Sequence, residues 1–434
     1  MLDECRYIVY NDIRSSDGLS PNGKATDSDS VIFKVRILVA QLKAFQISWE
    51  AFFDLEERSF ALMRESLFPL NQKGPVRANM HSSRQGSCCF AARSRAENVP
   101  RHILCSFNGK ILPCDIYRKG GKAMKKRPFI IDCDTGTDDA IALIAAFGCE
   151  EIEVRAITSV NGNAREADTS RNNRNLMAHL GIDVEVAHGA KMPLFQRGIY
   201  YSSTHGTTGL GNVILRDAEE YPFSESMAPE VIRRIAEEEQ GELELLVVGP
   251  MTNLAIAFSL YPQLKEQIRH IWFMGGAMFG GNVTTTAEFN MWVDPVAAQL
   301  VIASGVPMTM VGLDVTERAI LNREDEQLIR SFGHKGAIVA ADLLEYMFER
   351  CADGGEDAMM HDALALAAAV YPECMTFKNY FVDVDASGAY TAGHTAVDLK
   401  GRTGHKPNVN VAVDLKLDVF RRWICECIKN CKCK

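Results

Sequence analysis

The chain has 434 residues, of which 47% are hydrophobic and 24% charged, and its formal net charge is −9. This composition is ordinary for a soluble globular protein and leaves room for one large domain or two smaller ones. The acidic balance and the lack of a long basic run argue against a nucleic-acid partner, because phosphate binding needs clustered Lys and Arg.

The first 123 residues differ in character from the rest. The opening MLDECRYIVY lacks the apolar core of a secretory signal, and the apolar stretch 31–53 is broken by charges, so it is not a membrane span. Residues 31–66 are predicted to form one or two amphipathic helices, whereas 71–123 is typical of loop or disorder. Met124, followed by three basic residues and an apolar run, is typical of a native start. We therefore expect 1–123 to be an N-terminal extension, either largely disordered or a gene-model artefact, ahead of one domain over 124–420.

From residue 128 onward, short apolar runs alternate with helical patterns. The pattern predicts βαβα alternation and thus an α/β fold: an open, doubly wound, mostly parallel sheet flanked by helices. The predicted strands are 128–133, 153–159, 184–188, 243–248, 270–274 and 307–312. The predicted helices are 138–148, 165–180, 227–239, 252–258, 294–303, 335–350 and 361–370. Binding sites in such sheets form at the carboxyl ends of the strands.

The segment IIDCDTGTDDAIAL places Asp132, Asp134, Asp138 and Asp139 within eight residues, at the end of a strand and the start of a helix. Two unit charges ~4 Å apart repel by about 4 kcal/mol at an effective dielectric of 20, and a hard cation such as Ca²⁺ or Mg²⁺ relieves that repulsion. The alternative is that Asp138 or Asp139 caps the helix. A cap explains one carboxylate but not four, so we favour a metal site.

Three later segments bring polar groups to other strand or helix ends. GPMTNLA (249–255) opens a helix with a turn that can lend a backbone carbonyl. MHDALAL (360–366) places His361 and Asp362 at another helix start, and AEFN (287–290) places Glu288 and Asn290 beside a Thr-rich loop. Each means little alone, but all can converge on one cleft at the sheet edge.

These motifs, in this order, resemble the inosine–uridine preferring nucleoside hydrolase family. The matching segments are DCDTGTDDA, SVNGN, HGTTGLG, GPMTN, MGGAM with GGNVTTTAEFN, and MHDALA, and they span about 128 to 415. The resemblance implies a calcium-dependent N-ribohydrolase that cuts ribonucleosides into base and ribose, acting as a homodimer or homotetramer. Since neither a secretory signal nor a membrane span is found in the sequence, we expect a cytoplasmic protein without a membrane partner.

The resemblance also implies roles for individual residues. Asp134, Asp139, Asp362 and the backbone carbonyl of Thr252 would hold Ca²⁺, and Asp134 would activate the bound water. The ribose would be bound by Asp138, Asn163, Met274, Asn282, Glu288 and Asn290. His361 or His205 would act on the leaving base, and the sequence leaves open which of them does so.

The sequence departs from the family pattern at Cys133 and Thr135, which replace a usual Thr and Pro in the first motif. Tyr346 is a weak candidate for contact with the base, and a core role on helix 335–350 is the favoured interpretation. Gly206 follows His205, where purine-specific relatives carry aromatic residues. This difference favours a pyrimidine-preferring or non-specific enzyme acting on uridine or inosine.

Two other functions remain as alternatives. A haloacid-dehalogenase-type phosphatase also begins with a strand ending in two aspartates one residue apart, but it has no place for the AEFN and HD motifs. A catalytically inactive, nucleoside-binding member of the same family is the second alternative, although every matched ligand position is present.

The sequence has 13 cysteines at irregular spacing, as in a reduced intracellular protein rather than a disulfide scaffold. Four of them, Cys425, Cys427, Cys431 and Cys433, lie in the C-terminal segment 421–434. This spacing is not a common zinc pattern, and a soft-metal site is the lesser possibility. We predict an exposed, Cys- and Lys-rich tail.

Overall fold

The computed structural model describes residues 125–194, 203–351 and 358–433, together with four short strands between residues 81 and 113. The chain divides into two compact units, Met1–Gly121 and Lys122–Lys434. The helices predicted over 31–66 lie outside the described residues.

The short strands of the first unit form two antiparallel pairs. His81–Ser82 pairs with Cys88–Cys89, and Leu104–Phe107 pairs with Lys110–Pro113. The prediction of loop over 71–123 missed these strands. The second pair had a signal in the sequence, because Asn108-Gly109 between its strands is a favoured two-residue hairpin turn.

An eight-stranded sheet is the centre of the second unit. The strands of this unit in chain order are β1 Arg127–Cys133, β2 Ile152–Ser159, β3 Glu185–Ala187, β4 Leu243–Val247, β5 Ile268–Met274, β6 Met308–Val311, β7 Ile320–Leu321, β8 Ala358–Met359, β9 Met375–Tyr380, β10 Val382–Val384, β11 Thr395–Val397 and β12 Val409–Leu415. The spatial order of the eight-stranded sheet is β9-β12-β6-β5-β4-β1-β2-β3, and all neighbours are parallel except β9 and β12. The pairs β7–β8 and β10–β11 lie outside the main sheet.

Helices cover both faces of this sheet. They are α1 Thr137–Ala146, α2 Glu166–Leu180, α3 Ala228–Glu239, α4 Thr252–Leu260, α5 Leu264–Gln267, α6 Phe289–Val293, α7 Pro295–Ile302, α8 Leu313–Thr316, α9 Arg323–Arg330, α10 Lys335–Cys351, α11 His361–Val370 and α12 Leu417–Lys429. One core joins α1, α10, α11 and α12, and the other joins α3, α4 and α7. Strand β1 is buried along nearly its whole length, as its unbroken apolar run requires between two helical layers.

The predicted α/β fold is confirmed, and each strand and helix predicted from residue 128 onward has a counterpart within a few residues. The prediction missed β9 and β12, which extend the sheet on the side away from β3. Only Met375 of strand β9 is buried and the other residues are partly or fully exposed, so the strand lacks the continuous apolar run used to find the other strands.

The prediction of an exposed C-terminal tail is wrong. Residues 417–429 form α12, and Phe420, Ile424 and Ile428 on one face of that helix have no exposed surface. Apolar residues at spacings of four lie along one helix face, so burying that face against α1 and α10 removes it from water.

Within the described ranges, no helix has the length together with the apolar composition needed to cross a bilayer.

Candidate active site

The first acidic motif lies at the carboxyl end of β1, where the chain turns into α1. Asp139 accepts a hydrogen bond at Oδ2 from the Gly136 backbone N–H at 2.8 Å, so this carboxylate caps the helix. Its other oxygen, Oδ1, is buried and accepts no hydrogen bond from the described residues. The helix cap therefore uses only Oδ2 of Asp139 and leaves Oδ1 for a metal ion, so capping does not exclude a metal site.

Asp134 is enclosed by two turns. Its Oδ2 accepts from the Asn163 backbone N–H at 2.6 Å, and its Oδ1 is buried without a hydrogen-bond partner in the described part of the chain. A Cβ added at Gly162 would lie 2.0 Å from Oδ2, and one added at Gly249 would lie 2.9 Å from Oδ1. Both turns can close on the carboxylate only because these positions have no side chain.

Asp362 reaches the same place from the start of α11. One carboxylate oxygen each from Asp138, Asp139 and Asp362 lies within 4.8 Å of the other two, and all three residues are buried. Burial, followed by repulsion from Asp138, raises the pKa of Asp139 to about 7. Burial and the neighbouring carboxylates also raise the pKa of Asp134 and of Asp362 well above the ordinary value.

This donor set fits a hard divalent cation. Two buried carboxylate oxygens, Asp134 Oδ1 and Asp139 Oδ1, lack the partners that a buried charge requires. Asp138 and Asp362 each bring a carboxylate oxygen within 4.8 Å of one of Asp139. Asp134 lies outside this group of three, although repulsion from Asp139 and Asp138 contributes, after burial, to its raised pKa. No sulfur or imidazole belongs to the group of three, so oxygen-seeking ions suit it best. The Asp cluster can therefore hold a metal ion.

Asp132 belongs to a different network. Its Oδ1 accepts from Thr158 Oγ1 at 2.5 Å and from Asn253 Nδ2 at 2.8 Å. Asn253 also donates to the Ser159 carbonyl and accepts from the Ala190 N–H. The pair Asp132–Asn253 thus ties together the ends of β1 and β2 and the start of α4, whereas the sequence had grouped Asp132 with the other three aspartates.

Thr252 is the first residue of α4, and its hydroxyl donates to Asp294 Oδ2 at 2.7 Å. The backbone of this turn that lies against Asp134 is that of Gly249. The turn 248–252 therefore passes directly beside the Asp134 carboxylate.

Glu288 and Asn290 lie on the other side of that turn. Glu288 caps α6 and accepts from the backbone N–H groups of Gly276, Asn290 and Met291, and burial raises its pKa to about 6. Asn290 Nδ2 donates to the Val248 carbonyl at 2.8 Å and to the Met274 carbonyl at 3.2 Å, which joins the ends of β4 and β5. Because Val248 precedes Gly249, these residues and Asp134 share one edge of the sheet.

The remaining predicted ribose residues lie nearby to different degrees. Asn163 Nδ2 donates a hydrogen bond to Asp139 Oδ2 at 3.1 Å. Met274 is buried at the end of β5. Asn282 is exposed in the loop before α6, where its Oδ1 accepts from the Phe289 N–H at 3.0 Å.

His205 is fixed in one orientation by the start of α1. Its Nδ1 accepts from the Thr137 backbone N–H at 3.1 Å, so the neutral ring carries its hydrogen on Nε2. The same Nδ1 lies 3.9 Å from Asp138 Oδ1. Burial lowers the pKa of His205 to about 4, and the nearby His361 lowers it as well. His205 is therefore a neutral hydrogen-bond donor at neutral pH.

His361 and Tyr346 complete the surroundings. His361 Nδ1 lies 2.8 Å from Thr316 Oγ1. Tyr346 packs its ring against Gly211, and its hydroxyl is 3.4 Å from the Thr204 carbonyl, so it supports the loop that carries His205. Sequence reasoning missed Thr316, which had no signal, and Asn253, whose signal was the final residue of GPMTN.

Comparison with known proteins shows the family to which the chain belongs. The family model for inosine-uridine preferring nucleoside hydrolases matches residues 129–422. The chain is 40% identical over 297 residues to the pyrimidine-specific ribonucleoside hydrolase RihA of Salmonella paratyphi B, covering 68% of this chain and 95% of that protein. It is 38% identical over 297 residues, with the same coverage, to the RihA protein of Escherichia coli O1:K1 / APEC.

Solved structures share the fold. A purine-preferring ribonucleoside hydrolase from Gardnerella vaginalis matches with a TM-score of 0.66 and 30% identity, covering 70% of this chain and 99% of that one. An inosine-guanosine nucleoside hydrolase matches with a TM-score of 0.65 and 26% identity, covering 70% and 98%. The chain belongs to the inosine-uridine preferring nucleoside hydrolase family. It is a ribonucleoside hydrolase, a glycosidase that acts on N-glycosidic bonds.

Proposed function

We propose that this chain hydrolyses pyrimidine ribonucleosides with calcium as its metal ion, held by Asp134, Asp139, Asp362 and a backbone carbonyl of the 248–252 turn, for which the resemblance implies Thr252. The observation that carries the proposal is the pair of buried, unpartnered oxygens on Asp134 and Asp139. When bound, a divalent ion supplies charge neutralisation and polarises water at neutral pH.

Asp134 is our candidate for the general base. Its Oδ2 is held by the Asn163 N–H, which fixes the direction of the carboxylate. A carboxylate offers about four lone-pair sites, so Asp134 can hold a metal ion and still accept the proton of the attacking water. General-base assistance of this kind contributes about 10²–10⁴-fold in rate. Breaking the bond from C1′ to the base passes through an oxocarbenium-like state, as in other glycoside hydrolysis.

Asp138, Glu288 and Asn290 are proposed to bind the ribose hydroxyls, with Asn163, Met274 and Asn282 beside them. Glu288 and Asn290 are held by several backbone groups, so their remaining hydrogen-bonding capacity is fixed in direction. A site built to bond a hydroxyl rejects analogues that lack it. We therefore propose a strong preference for ribosides over 2′-deoxyribosides.

His205 and His361 are proposed to act on the leaving base. His205 presents Nε2–H as a hydrogen-bond donor, and the O2 carbonyl oxygen of uracil or cytosine is an acceptor for it. The similarity to pyrimidine-specific relatives at 40% identity supports this substrate class. We also propose that the protein is cytoplasmic and forms a homodimer or homotetramer. Light scattering of the purified chain would test the oligomeric state.

The experiment uses the full chain and follows ribose release from uridine, cytidine, inosine and 2′-deoxyuridine. We expect release from the two pyrimidine ribosides to have the highest kcat/KM, to stop with a calcium chelator and to return when calcium is restored. Release that resists the chelator would contradict the metal assignment. No release from any riboside, with nucleosides still raising the melting temperature, would instead establish the inactive, nucleoside-binding alternative.

A further inference from the structure

The cysteines at the C-terminal end lie over the first turn of α10, well apart from the acidic cluster in the sequence. A Cβ added at Gly336 would lie 2.9 Å from Cys433 Sγ and 3.4 Å from Cys431 Sγ. The missing side chain at Gly336 lets both thiols approach the amino-terminal end of this 17-residue helix. Helix amino-termini favour the thiolate form of a cysteine.

The two thiols are held together by a tight turn. The Sγ atoms of Cys431 and Cys433 are 3.3 Å apart, and the Cys433 N–H donates to the Cys431 carbonyl at 2.9 Å. A hydrogen bond between residues two apart closes a three-residue turn, which keeps the two Cα atoms within the range that a disulfide spans. Cys433 is partly exposed, whereas Cys431 is only 8% exposed.

A histidine lies beside the more accessible thiol. Cys433 Sγ is 3.6 Å from His334 Nδ1. The Ala337 backbone N–H donates to that same nitrogen at 3.2 Å, so Nδ1 carries the ring's lone pair, and taking up the Cys433 proton there requires release of the Ala337 hydrogen bond. A thiol is activated when a base lies within contact distance of it, as His334 does for Cys433. Burial, by contrast, raises the pKa of Cys431, which suits it to the second step rather than the first.

A second pair of cysteines serves as an internal comparison. Cys149 Sγ and Cys427 Sγ are 3.5 Å apart, nearly as close as the first pair. They are only 4% and 7% exposed, and within the described residues their sulfur atoms contact each other and the Ala145 carbonyl rather than a histidine ring. Their hydrogen bond to each other, together with burial, raises the pKa of Cys427. The sulfur atoms are thus close in both pairs, but only the Cys431–Cys433 pair has a partly exposed thiol and a neighbouring histidine.

We propose that Cys431 and Cys433 form a reversible dithiol–disulfide site, with Cys433 as the attacking thiol, His334 as its base and a hydroperoxide as its oxidant. The Cys433 thiolate attacks one oxygen of hydrogen peroxide, the O–O bond breaks, and hydroxide leaves and takes up the proton held by His334. Cys433 is then a sulfenic acid. The Cys431 sulfur attacks the Cys433 sulfur, the S–O bond breaks, and water leaves with the Cys431 proton. In sum, two thiols and one peroxide give one disulfide and two waters, a two-electron oxidation of sulfur.

The test treats the reduced full chain with one equivalent of hydrogen peroxide, alkylates the remaining thiols and maps each cysteine by mass spectrometry. Cleavage after Glu426 releases one peptide with Cys427, Cys431 and Cys433. A Cys431–Cys433 disulfide leaves this peptide unjoined and two hydrogens lighter, whereas a Cys149–Cys427 disulfide joins it to a second peptide. We expect the first product, and we expect Cys433 to be alkylated about tenfold faster than Cys431 or Cys427 in the reduced protein.

Two variants separate reactivity from simple proximity. His334→Asn should slow disulfide formation about tenfold, and Cys431→Ser should leave a Cys433 sulfenic acid that dimedone traps. Oxidation of Cys149–Cys427 ahead of Cys431–Cys433 would overturn the proposal, as would an unchanged rate in folded His334→Asn protein. Each cysteine is read separately, and neither outcome depends on nucleoside hydrolysis.

Discussion

Two aspartates two residues apart at the end of β1 have different surroundings. Asp132 satisfies one oxygen twice, through Thr158 and Asn253, and holds the strand ends together. Asp134 accepts one backbone N–H at Oδ2. In each residue the other oxygen, Asp132 Oδ2 or Asp134 Oδ1, is buried without a hydrogen-bond partner in the described residues, so neither burial nor a free oxygen distinguishes them. Their neighbours do. Burial and then repulsion from Asp139 raise the pKa of Asp134, whereas the neighbours of Asp132 are the hydrogen-bond donors Thr158 and Asn253, which favours a structural role for Asp132 and a chemical role for Asp134.

Substituting each of these aspartates by asparagine gives a matched pair of variants. Asp134→Asn should lower kcat by about 10²–10⁴-fold, because an amide cannot accept the proton of the attacking water. Asp132→Asn keeps an oxygen that accepts from Thr158 and Asn253, so its kcat should stay within about threefold of wild type. Steady-state ribose release from uridine measures both. Equal losses in the two variants would contradict the assignment of the base.

His205 offers a second prediction at this scale. Since burial lowers its pKa to about 4, His205 stays neutral above pH 5, and a cation bound at the aspartates would lower that pKa further. The plot of log kcat against pH between 5 and 8 should therefore have the same shape in wild type and in His205→Gln, which retains an N–H donor. His205→Ala should lose about 10–100-fold in kcat through the missing hydrogen bond. Disappearance of a pH limb in His205→Gln would show that an imidazolium acts there instead.

At the scale of elements, turns and helix starts deliver the site residues from distant parts of the chain. The turn after β1 brings Asp134, α1 brings Asp138 and Asp139, and α11 brings Asp362. Parallel strands place their carboxyl ends at one edge, so these groups meet although more than 220 residues separate the first from the last. Glycines at 162 and 249 then set how closely the turns approach Asp134.

Helix α12 belongs to this scaffold, because it packs on α1, the helix that carries two of the aspartates. Phe420→Ala should lower the free energy of unfolding by about 3–5 kcal/mol, since Phe420 has no exposed surface and its loss leaves a cavity. Arg422→Ala on the exposed side of the same helix should change it by less than about 0.5 kcal/mol. Denaturant titration of both variants measures the difference. Similar small effects in both would mean that the helix is dispensable to the fold.

At the scale of the whole molecule, the acidic cluster lowers the stability of the fold, because it holds several carboxylates close together in a buried place. Folding raises the pKa of Asp139 to about 7 and those of Asp134 and Asp362 well above their usual value. An aspartate with a raised folded-state pKa destabilises the fold above that pKa, and the penalty is relieved as pH falls through it towards about 4. A bound cation removes most of the repulsion and hence most of this pH dependence.

We therefore expect the chelated protein to gain melting temperature as pH is lowered from 8 to 5.5. With calcium the melting temperature should be higher at pH 8 and change less over the same range. Differential scanning calorimetry in both conditions tests this directly. The same pH slope with and without calcium would show that the cluster does not bind the ion.

The order of strands and helices and the acidic motifs followed from local sequence, because apolar periodicity and residue type act over a few neighbours. That is why every predicted strand has a counterpart, and why Asp134, Asp139 and Asp362 could be named before their positions were known. Local sequence did not reveal β9, a largely exposed edge strand without an apolar run. Nor did it reveal the burial of α12, which depends on the apolar surface of α1 and α10.

The sequence by itself determined the fold class, the family and most residues of the acidic cluster, since these are written in contiguous motifs. Only the tertiary structure decided which carboxylate oxygens are free, which nitrogen of His205 accepts a hydrogen bond, and which cysteines lie near a base. Those properties arise from contacts between segments tens to hundreds of residues apart. Burial and hydrogen bonding act through space, so no local pattern in the sequence fixes them.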